Sequence, residues 1–236
     1  MINCVAMLTR NDITVPNAME VVRENSHAKA EYWGFKDVGV TFEQGEALIQ
    51  AMQAAGKKVV LEPLTRDEET ANKWAQLAVR YHCAAYLGFF FKSVSDTLRA
   101  GGVLHFTPFG RRNADERLLG TLDELRQAAL ELIDQGAAGI RMSAYRWIEG
   151  DPALLASTLK AEFNARGVPF MMTGSVSDYN MLDVIREMQP WGITVGGALF
   201  DEGKFGGGTV AERIDRINEY CNSELAVPAA AGAPVR

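Results

Sequence analysis

Residues 168–201, VPFMMTGSVSDYNMLDVIREMQPWGITVGGALFD, contain two short apolar runs separated by one amphipathic stretch. The runs at 168–174 and 191–197 have the length and composition of buried strands, and the residues near 179–188 have helical spacing. Each run ends in glycine and small residues, TGS at 173–175 and GGA at 196–198. This pattern predicts a strand, a helix and a second strand parallel to the first.

The same alternation runs through the rest of the chain. Predicted strands begin near Asn3, Tyr32, Lys58, Cys83, Val103, Gly139, Pro169 and Gly192. Eight strand–helix units in about 225 residues match a single parallel α/β domain, an eight-stranded (β/α)8 TIM barrel over residues 1–225. The alternative is a doubly wound open sheet, but the turn LTRNDI after the first strand lacks the expected GxGxxG glycines. Residues 226–236 are predicted to be a disordered tail.

Composition narrows the range of partners and compartments. The 236 residues carry a net charge of −6, which argues against nucleic acid and anionic membranes as main partners. No apolar run approaches the roughly 18 residues that span a bilayer, and the first residues lack the basic stretch of a signal peptide. The three cysteines are far apart and have no metal-finger spacing. We therefore expect a cytoplasmic protein.

The two glycine-containing segments at 173–175 and 196–198 indicate a binding site for an anion. In TIM barrels the active site lies at the carboxyl ends of the strands, and phosphate often binds between the loops after the last two. Glycine lets the backbone approach an anion closely, so that N–H groups can donate to it. The segments at 173–175 and 196–198 are therefore predicted to bind the same phosphate group. The alternative is that these glycines only form tight strand-to-helix turns.

In these two turns the chain resembles the phosphate-binding barrels. That group includes the histidine- and tryptophan-pathway isomerases, the pentulose-phosphate epimerases and the N-acetylmannosamine-6-phosphate epimerases. The resemblance implies that Gly174, Ser175, Gly196 and Gly197 bind phosphate. The catalytic signatures of those enzymes are absent, since GVLHFT at 102–107 has no carboxylate and TGSVSD at 173–178 has no glutamate. The resemblance therefore implies a phosphorylated ligand and leaves the reaction open.

Lys36 and Glu62 follow two neighbouring predicted strands at their carboxyl ends. Adjacent barrel strands lie roughly 4.8 Å apart, so the two charged groups are expected to meet. A lysine beside a carboxylate can move protons next to a carbonyl group. A desolvated lysine can instead form a Schiff base. The non-catalytic alternative is an internal salt bridge that stabilises the top of the barrel.

Other charged residues at strand ends are further candidates. Asp37 is a third candidate catalytic residue, or a loop contact or helix cap on the opposite side of the strand. Arg10 and Arg141 are predicted to bind the substrate, since the guanidinium fork fits planar oxygens. For Arg10 the alternative is an ion pair with Asp12 or Glu62.

Two further segments carry less specific signals. His105 lies within the fifth predicted strand, where a single histidine is more often a core residue than a catalytic one. The polar segment 109–117 contains Arg111 and Arg112, which would close over an anion if the segment is mobile. The alternative is a solvated loop.

Together these features favour an enzyme acting on a small phosphorylated carbonyl compound, such as a sugar phosphate. The favoured chemistry is enolisation, as in an isomerase or epimerase, with Lys36 and Glu62 as acid and base. An aldolase or decarboxylase using Lys36 is the first alternative, and a non-catalytic phosphometabolite-binding barrel is the second. No cofactor is predicted, and a divalent metal held by Asp37 and Glu62 is an open alternative. A homo-oligomer is also compatible with the sequence.

Overall fold

The computed structural model describes residues 1–223, and the predicted disordered tail at 226–236 lies outside them. The strands are β1 Asn3–Met7, β2 Thr9–Arg10, β3 Ile13–Thr14, β4 Tyr32–Lys36, β5 Lys58–Glu62, β6 Ala85–Tyr86, β7 Leu104–His105, β8 Thr107–Pro108, β9 Arg111–Arg112, β10 Leu118–Leu119, β11 Ile140–Met142, β12 Phe170–Met172 and β13 Gly192–Val195. The helices are α1 Ala18–Asn25, α2 Phe42–Ala54, α3 Glu68–Arg80, α4 Lys92–Ala100, α5 Leu122–Asp134, α6 Pro152–Arg166, α7 Tyr179–Met188 and α8 Val210–Asn222.

Nine of the strands form one parallel sheet in the order β7-β6-β5-β4-β1-β13-β12-β11-β8. Its two end strands, β7 and β8, are separated in sequence by Phe106 alone. The two ends of the sheet are therefore joined by a single residue, and the sheet forms a nearly closed barrel of the α/β class.

The predicted number of strands was eight, and the difference arises at Phe106. The N–H of Phe106 donates to Tyr86 on one side, whereas the N–H of Thr107 donates to Gly139 on the other. The fifth predicted strand thus changes partners at one residue and is divided into β7 and β8.

Hydrophobic packing occurs on both faces of the sheet. Val5 and Met7 belong to a small buried cluster that also contains Val60, Leu87 and Phe106. Alternate residues of β1, such as Cys4 and Ala6, belong instead to the large cluster formed with the helices. This alternation follows from strand geometry and gives a packed interior beneath an outer layer of helices.

The helix boundaries have local causes in the sequence. A capping box begins α5, since the side chains of Thr121 and Glu124 are each bonded to the backbone of the other. The same arrangement begins α2 at Thr41 and α8 at Thr209. None of the helices within residues 1–223 combines the length and the apolar character needed to cross a bilayer.

Two antiparallel hairpins, β2–β3 and β9–β10, lie outside the main sheet. The first follows β1 directly and turns at Asn11 and Asp12, whose φ angles are 51° and 61°. Asparagine and aspartate tolerate this left-handed conformation better than most residues. The turn places the Asp12 carboxylate at the carboxyl end of β4, where Lys36 lies.

Candidate active site

A cavity of about 350 Å³ lies where the carboxyl ends of the parallel strands meet. Its lining includes Lys36 and Glu62, the last residues of β4 and β5. The loops after β12 and β13 contribute Gly174, Ser175 and Gly197 on another part of the wall. The cavity therefore brings the predicted reacting pair and the predicted phosphate loops to one site.

An alternating chain of charges forms the polar floor of this cavity. Nζ of Lys36 lies 2.6 Å from Oδ1 of Asp12 and 3.3 Å from Oε1 of Glu62. Nη2 of Arg146 donates to the same Asp12 oxygen at 2.9 Å, and Nη1 of Arg141 donates to the same Glu62 oxygen. The order is Arg146, Asp12, Lys36, Glu62, Arg141, so a cation stands at each end. We call these five residues the charge chain.

The centre of the charge chain is nearly inaccessible to solvent. Lys36 is 6% exposed, and Glu62 and Arg141 are each 5% exposed. Burial raises the pKa of Asp12, but the hydrogen bond from Arg146 and the charge of Lys36 outweigh it and hold that pKa well below its usual range. Asp12 therefore stays ionised and is a weak base, suited to positioning Lys36.

Each carboxylate of the charge chain uses only one of its oxygens. The cations contact Oδ1 of Asp12 and Oε1 of Glu62. Within residues 1–223, no hydrogen-bond donor contacts Oδ2 of Asp12 or Oε2 of Glu62. A carboxylate can accept several hydrogen bonds, so both side chains keep acceptor capacity for a ligand in the cavity.

The two glycine loops present backbone N–H groups without partners. In the described part of the chain, the N–H groups of Gly174, Ser175, Gly197 and Ala198 donate to no acceptor. Ser175 also has a φ of 60°, a left-handed conformation that costs a non-glycine residue about 1–2 kcal/mol. Unpaired donors and local strain together are typical of ligand-binding loops.

Gly174 and Gly196 each lie close to a neighbouring side chain. A Cβ added at Gly174 would lie 2.7 Å from Nε of Arg146, and one at Gly196 would lie 2.5 Å from Oγ1 of Thr9. A Cβ at Gly197, in contrast, would meet nothing within 4 Å. The loops therefore pack against the charge chain and the β2 strand while Gly197 faces open space.

Asp37 and Arg10 belong neither to the charge chain nor to the two glycine loops. The carboxylate of Asp37 accepts hydrogen bonds from the N–H groups of Leu64 and Thr65, and burial raises its pKa. This is the loop contact expected as the alternative for Asp37, and the residue does not line the cavity. Arg10 is exposed at the end of β2 and also does not line it. Within residues 1–223 Arg10 makes no ion pair with Asp12.

His105 is buried behind the wall of the barrel. Its Nδ1 lies 2.9 Å from Oγ of Ser95, and its Nε2 lies 3.1 Å from the carbonyl oxygen of Gly88. Burial lowers the pKa of His105 to about 4. The side chain is therefore neutral near pH 7 and belongs to the core.

The shifted pKa of His105 predicts a pH dependence of stability. Because the unfolded chain binds this proton near pH 6.5 and the folded chain only near pH 4, protonation favours unfolding. Protonation of His105 therefore leaves the free energy of unfolding unchanged above pH 6.5 and lowers it as the pH falls from 6.5 towards 4. We expect the wild-type protein to lose ~2–3 kcal/mol relative to His105→Gln between pH 7 and pH 4. Urea unfolding of both proteins measures this, and a difference independent of pH would contradict it.

Asp12 and Arg146 are residues of the site that the sequence pattern does not identify. Asp12 comes five residues after the end of β1, and only the tight hairpin turn returns it to the barrel mouth. Arg146 lies in a short 3₁₀ turn at Ala144–Arg146, which follows β11. The available signal was their position just beyond predicted strands, which marks them as rim residues without indicating their partners.

The described residues contain no group of three or more His, Cys, Asp or Glu side chains placed to hold a metal ion. Asp37 and Glu62, considered together above as ligands, do not share the cavity.

The sequence matches no known family and no curated protein. Solved structures are similar over 93–94% of this chain. Orotidine 5'-monophosphate decarboxylase from Methanocaldococcus jannaschii is 13% identical, with 94% of this chain and 99% of that chain covered and a TM-score of 0.66. 3-Hexulose-6-phosphate synthase from Salmonella typhimurium is 14% identical, with 93% of this chain and 98% of that chain covered and a TM-score of 0.63. N-(5'-phosphoribosyl)anthranilate isomerase from Pyrococcus furiosus is 16% identical, with 93% of this chain and 100% of that chain covered and a TM-score of 0.58. At these identities the similarity establishes the barrel fold.

Proposed function

We propose that the protein is an enzyme that enolises a small phosphorylated carbonyl compound, as an isomerase or epimerase does. The observation that carries this proposal is the position of Lys36, held between two carboxylates in the cavity that the glycine loops also line. A passive binding protein needs no buried lysine with two acidic partners, because burying charges costs several kcal/mol per ion.

Lys36 and Glu62 take complementary roles in this reaction. Glu62 removes the proton next to the carbonyl carbon through Oε2, the oxygen that carries no cation contact. Lys36 donates to the carbonyl oxygen and stabilises the negative charge that develops there. Asp12 holds the ammonium group in position and takes no proton, because its pKa lies below the usual range.

An aldolase that forms a Schiff base on Lys36 is the less favoured reaction. A Schiff base forms only if the amine nitrogen reaches the carbonyl carbon of the substrate. Nζ of Lys36 is held by contacts to two carboxylate oxygens, and a Schiff base would have to break them.

The phosphate group of the proposed substrate binds to the loops at 174–175 and 197–198. Their N–H groups lack protein acceptors and the four residues line the cavity. The names of the similar proteins support this choice, since an orotidine monophosphate, a hexulose phosphate and a phosphoribosyl compound are each phosphorylated.

Substitution of Gly197 tests phosphate binding without damaging the fold. A valine side chain at this position meets open space in the protein and occupies the cavity instead. We expect Gly197→Val to weaken binding of glycerol 3-phosphate at least about tenfold, since it blocks charge-assisted hydrogen bonds from the loop. Titration calorimetry against glycerol 3-phosphate and glycerol measures the phosphate contribution.

Gly207→Val is the matched control. An added Cβ at Gly207 also meets nothing within 4 Å, but this residue does not line the cavity. It should bind glycerol 3-phosphate as the wild type does. Equal binding by Gly197→Val and the wild type, or no preference of the wild type for glycerol 3-phosphate over glycerol, would refute the phosphate site.

A further inference from the structure

Arg112 reaches the cavity from outside the main sheet. It belongs to β9 of the second hairpin, and its side chain is 4% exposed although the neighbouring Arg111 is exposed. Its guanidinium donates to the carbonyl oxygen of Glu116 at 3.2 Å, and its nearest carboxylate oxygen, also on Glu116, is 3.9 Å away. Burial lowers the pKa of Arg112 to about 10, and the charges of Arg141 and Arg146 act in the same direction.

Arg141 likewise has donors that the protein does not use. Its hydrogen bonds to Glu62 and to the carbonyl oxygen of Leu87 both come from Nη1. Its Nε is buried without a partner, and within residues 1–223 no acceptor contacts Nη2. An unpaired buried donor is unfavourable, so this guanidinium is short of acceptors in the protein alone.

The charges of the charge chain and Arg112 do not cancel, and the exposed rim of the cavity adds charges of both signs at Asp115, Arg117 and Asp201. In the charge chain, the cations Lys36, Arg141 and Arg146 share two carboxylates, and Arg112 adds a further cation beside them. The side chain of Glu116, the only carboxylate paired with Arg112 in the described residues, is 38% exposed. A buried excess of positive charge is costly unless an anion joins it.

We propose that Arg112 and Arg141 bind a carboxylate of the substrate, so that the substrate is a phosphorylated sugar acid. This inference rests on the proposed function and specifies its substrate class. One excess positive charge in the charge chain matches one carboxylate, and the guanidinium fork fits its planar oxygens. The phosphate remains on the glycine loops, which lie after β12 and β13, whereas Arg141 crosses the barrel to Glu62 at the end of β5.

Four related compounds separate the two anion sites: glucitol, gluconate, glucitol 6-phosphate and 6-phosphogluconate. Comparing compounds with and without phosphate tests the glycine loops, and comparing acids with their alcohols tests the arginines. We expect the wild-type protein to bind each acid at least about tenfold more tightly than its alcohol, the size of a lost charge-assisted contact. Titration calorimetry on the full chain at low salt measures all four.

Variants assign this preference to Arg112. Arg112→Gln should remove most of the preference for acids while leaving the preference for phosphate, and Arg112→Lys should retain part of it. Arg111→Gln, an exposed residue on the same strand, should bind all four compounds as the wild type does.

The inference is overturned if wild-type protein binds no acid more tightly than its alcohol, or if the preference survives in Arg112→Gln. It is also overturned if glucitol 1,6-bisphosphate binds more tightly than 6-phosphogluconate, because the second site would then prefer phosphate. Loss of the phosphate preference alone would refute the proposed function and leave the carboxylate site standing.

Discussion

Lys36→Met is expected to lower turnover by about 10²–10⁴-fold, the range for loss of a positioned acid–base group. Methionine keeps the unbranched side chain to within one atom of its length and removes the proton donor. The fold should survive, because Asp12 keeps its hydrogen bond from Arg146 and Glu62 keeps its hydrogen bond from Arg141. The measurement is the rate of turnover of the phosphorylated carbonyl compound that the wild type converts, with binding followed by calorimetry.

The matched control for this variant is Lys58→Met. Lys58 begins β5 and pairs with Glu31 at the opposite end of the barrel, where both side chains are more than half exposed. Its loss should leave turnover unchanged. Full activity in Lys36→Met would show that Lys36 is a structural ion pair, and a covalent adduct on Lys36 after borohydride treatment would show a Schiff-base reaction instead.

Glu62→Gln is expected to lower the free energy of unfolding by roughly 3–5 kcal/mol, the cost of removing one partner from a buried ion pair. Glu62 is the carboxylate shared by Lys36 and Arg141, so its neutral amide leaves Arg141 without a negative partner among the described residues. The variant should also lose turnover, because it lacks the base. Urea unfolding of purified protein measures the stability change.

Glu31→Gln is the control for that experiment. It removes the carboxylate of the exposed pair between Lys58 on β5 and the residue just before β4, where an ion pair contributes about 0–1 kcal/mol. Comparable losses in the two variants would contradict the account of the charge chain as a buried network. In Lys36→Met/Glu62→Gln the loss should be smaller than the sum of the single losses, since the two residues interact.

The order of strands and helices was predictable from the sequence because each element carries a local signal. Apolar runs mark the buried strands, and capping boxes such as that at Thr121 mark where helices begin. The split at Phe106 was not predictable in this way. It depends on which neighbours the chain pairs with before and after that residue, and no local pattern encodes such long-range pairing.

The candidate site was predictable only where a residue ends a regular strand. Lys36 and Glu62 are the last residues of β4 and β5 and are paired in register, so their contact follows from the parallel sheet. Asp12 and Arg112 reach the cavity through hairpins outside that sheet. Their direction depends on turn geometry, which the residue types alone do not specify. Arg10, next to the turn of the first hairpin, is exposed and does not line the cavity.

Solvent-deuterium exchange tests the central claim most directly. Wild-type protein is incubated in D2O with dihydroxyacetone phosphate, ribulose 5-phosphate and phosphorylated 2-keto sugar acids, each beside its unphosphorylated counterpart, and proton NMR follows the carbon next to the carbonyl group. We expect deuterium incorporation into at least one phosphorylated compound, none into its counterpart at equal concentration, and none with Lys36→Met. Binding of these compounds in the cavity without exchange, or exchange that persists in Lys36→Met, would contradict the proposed enolisation by Lys36 and Glu62.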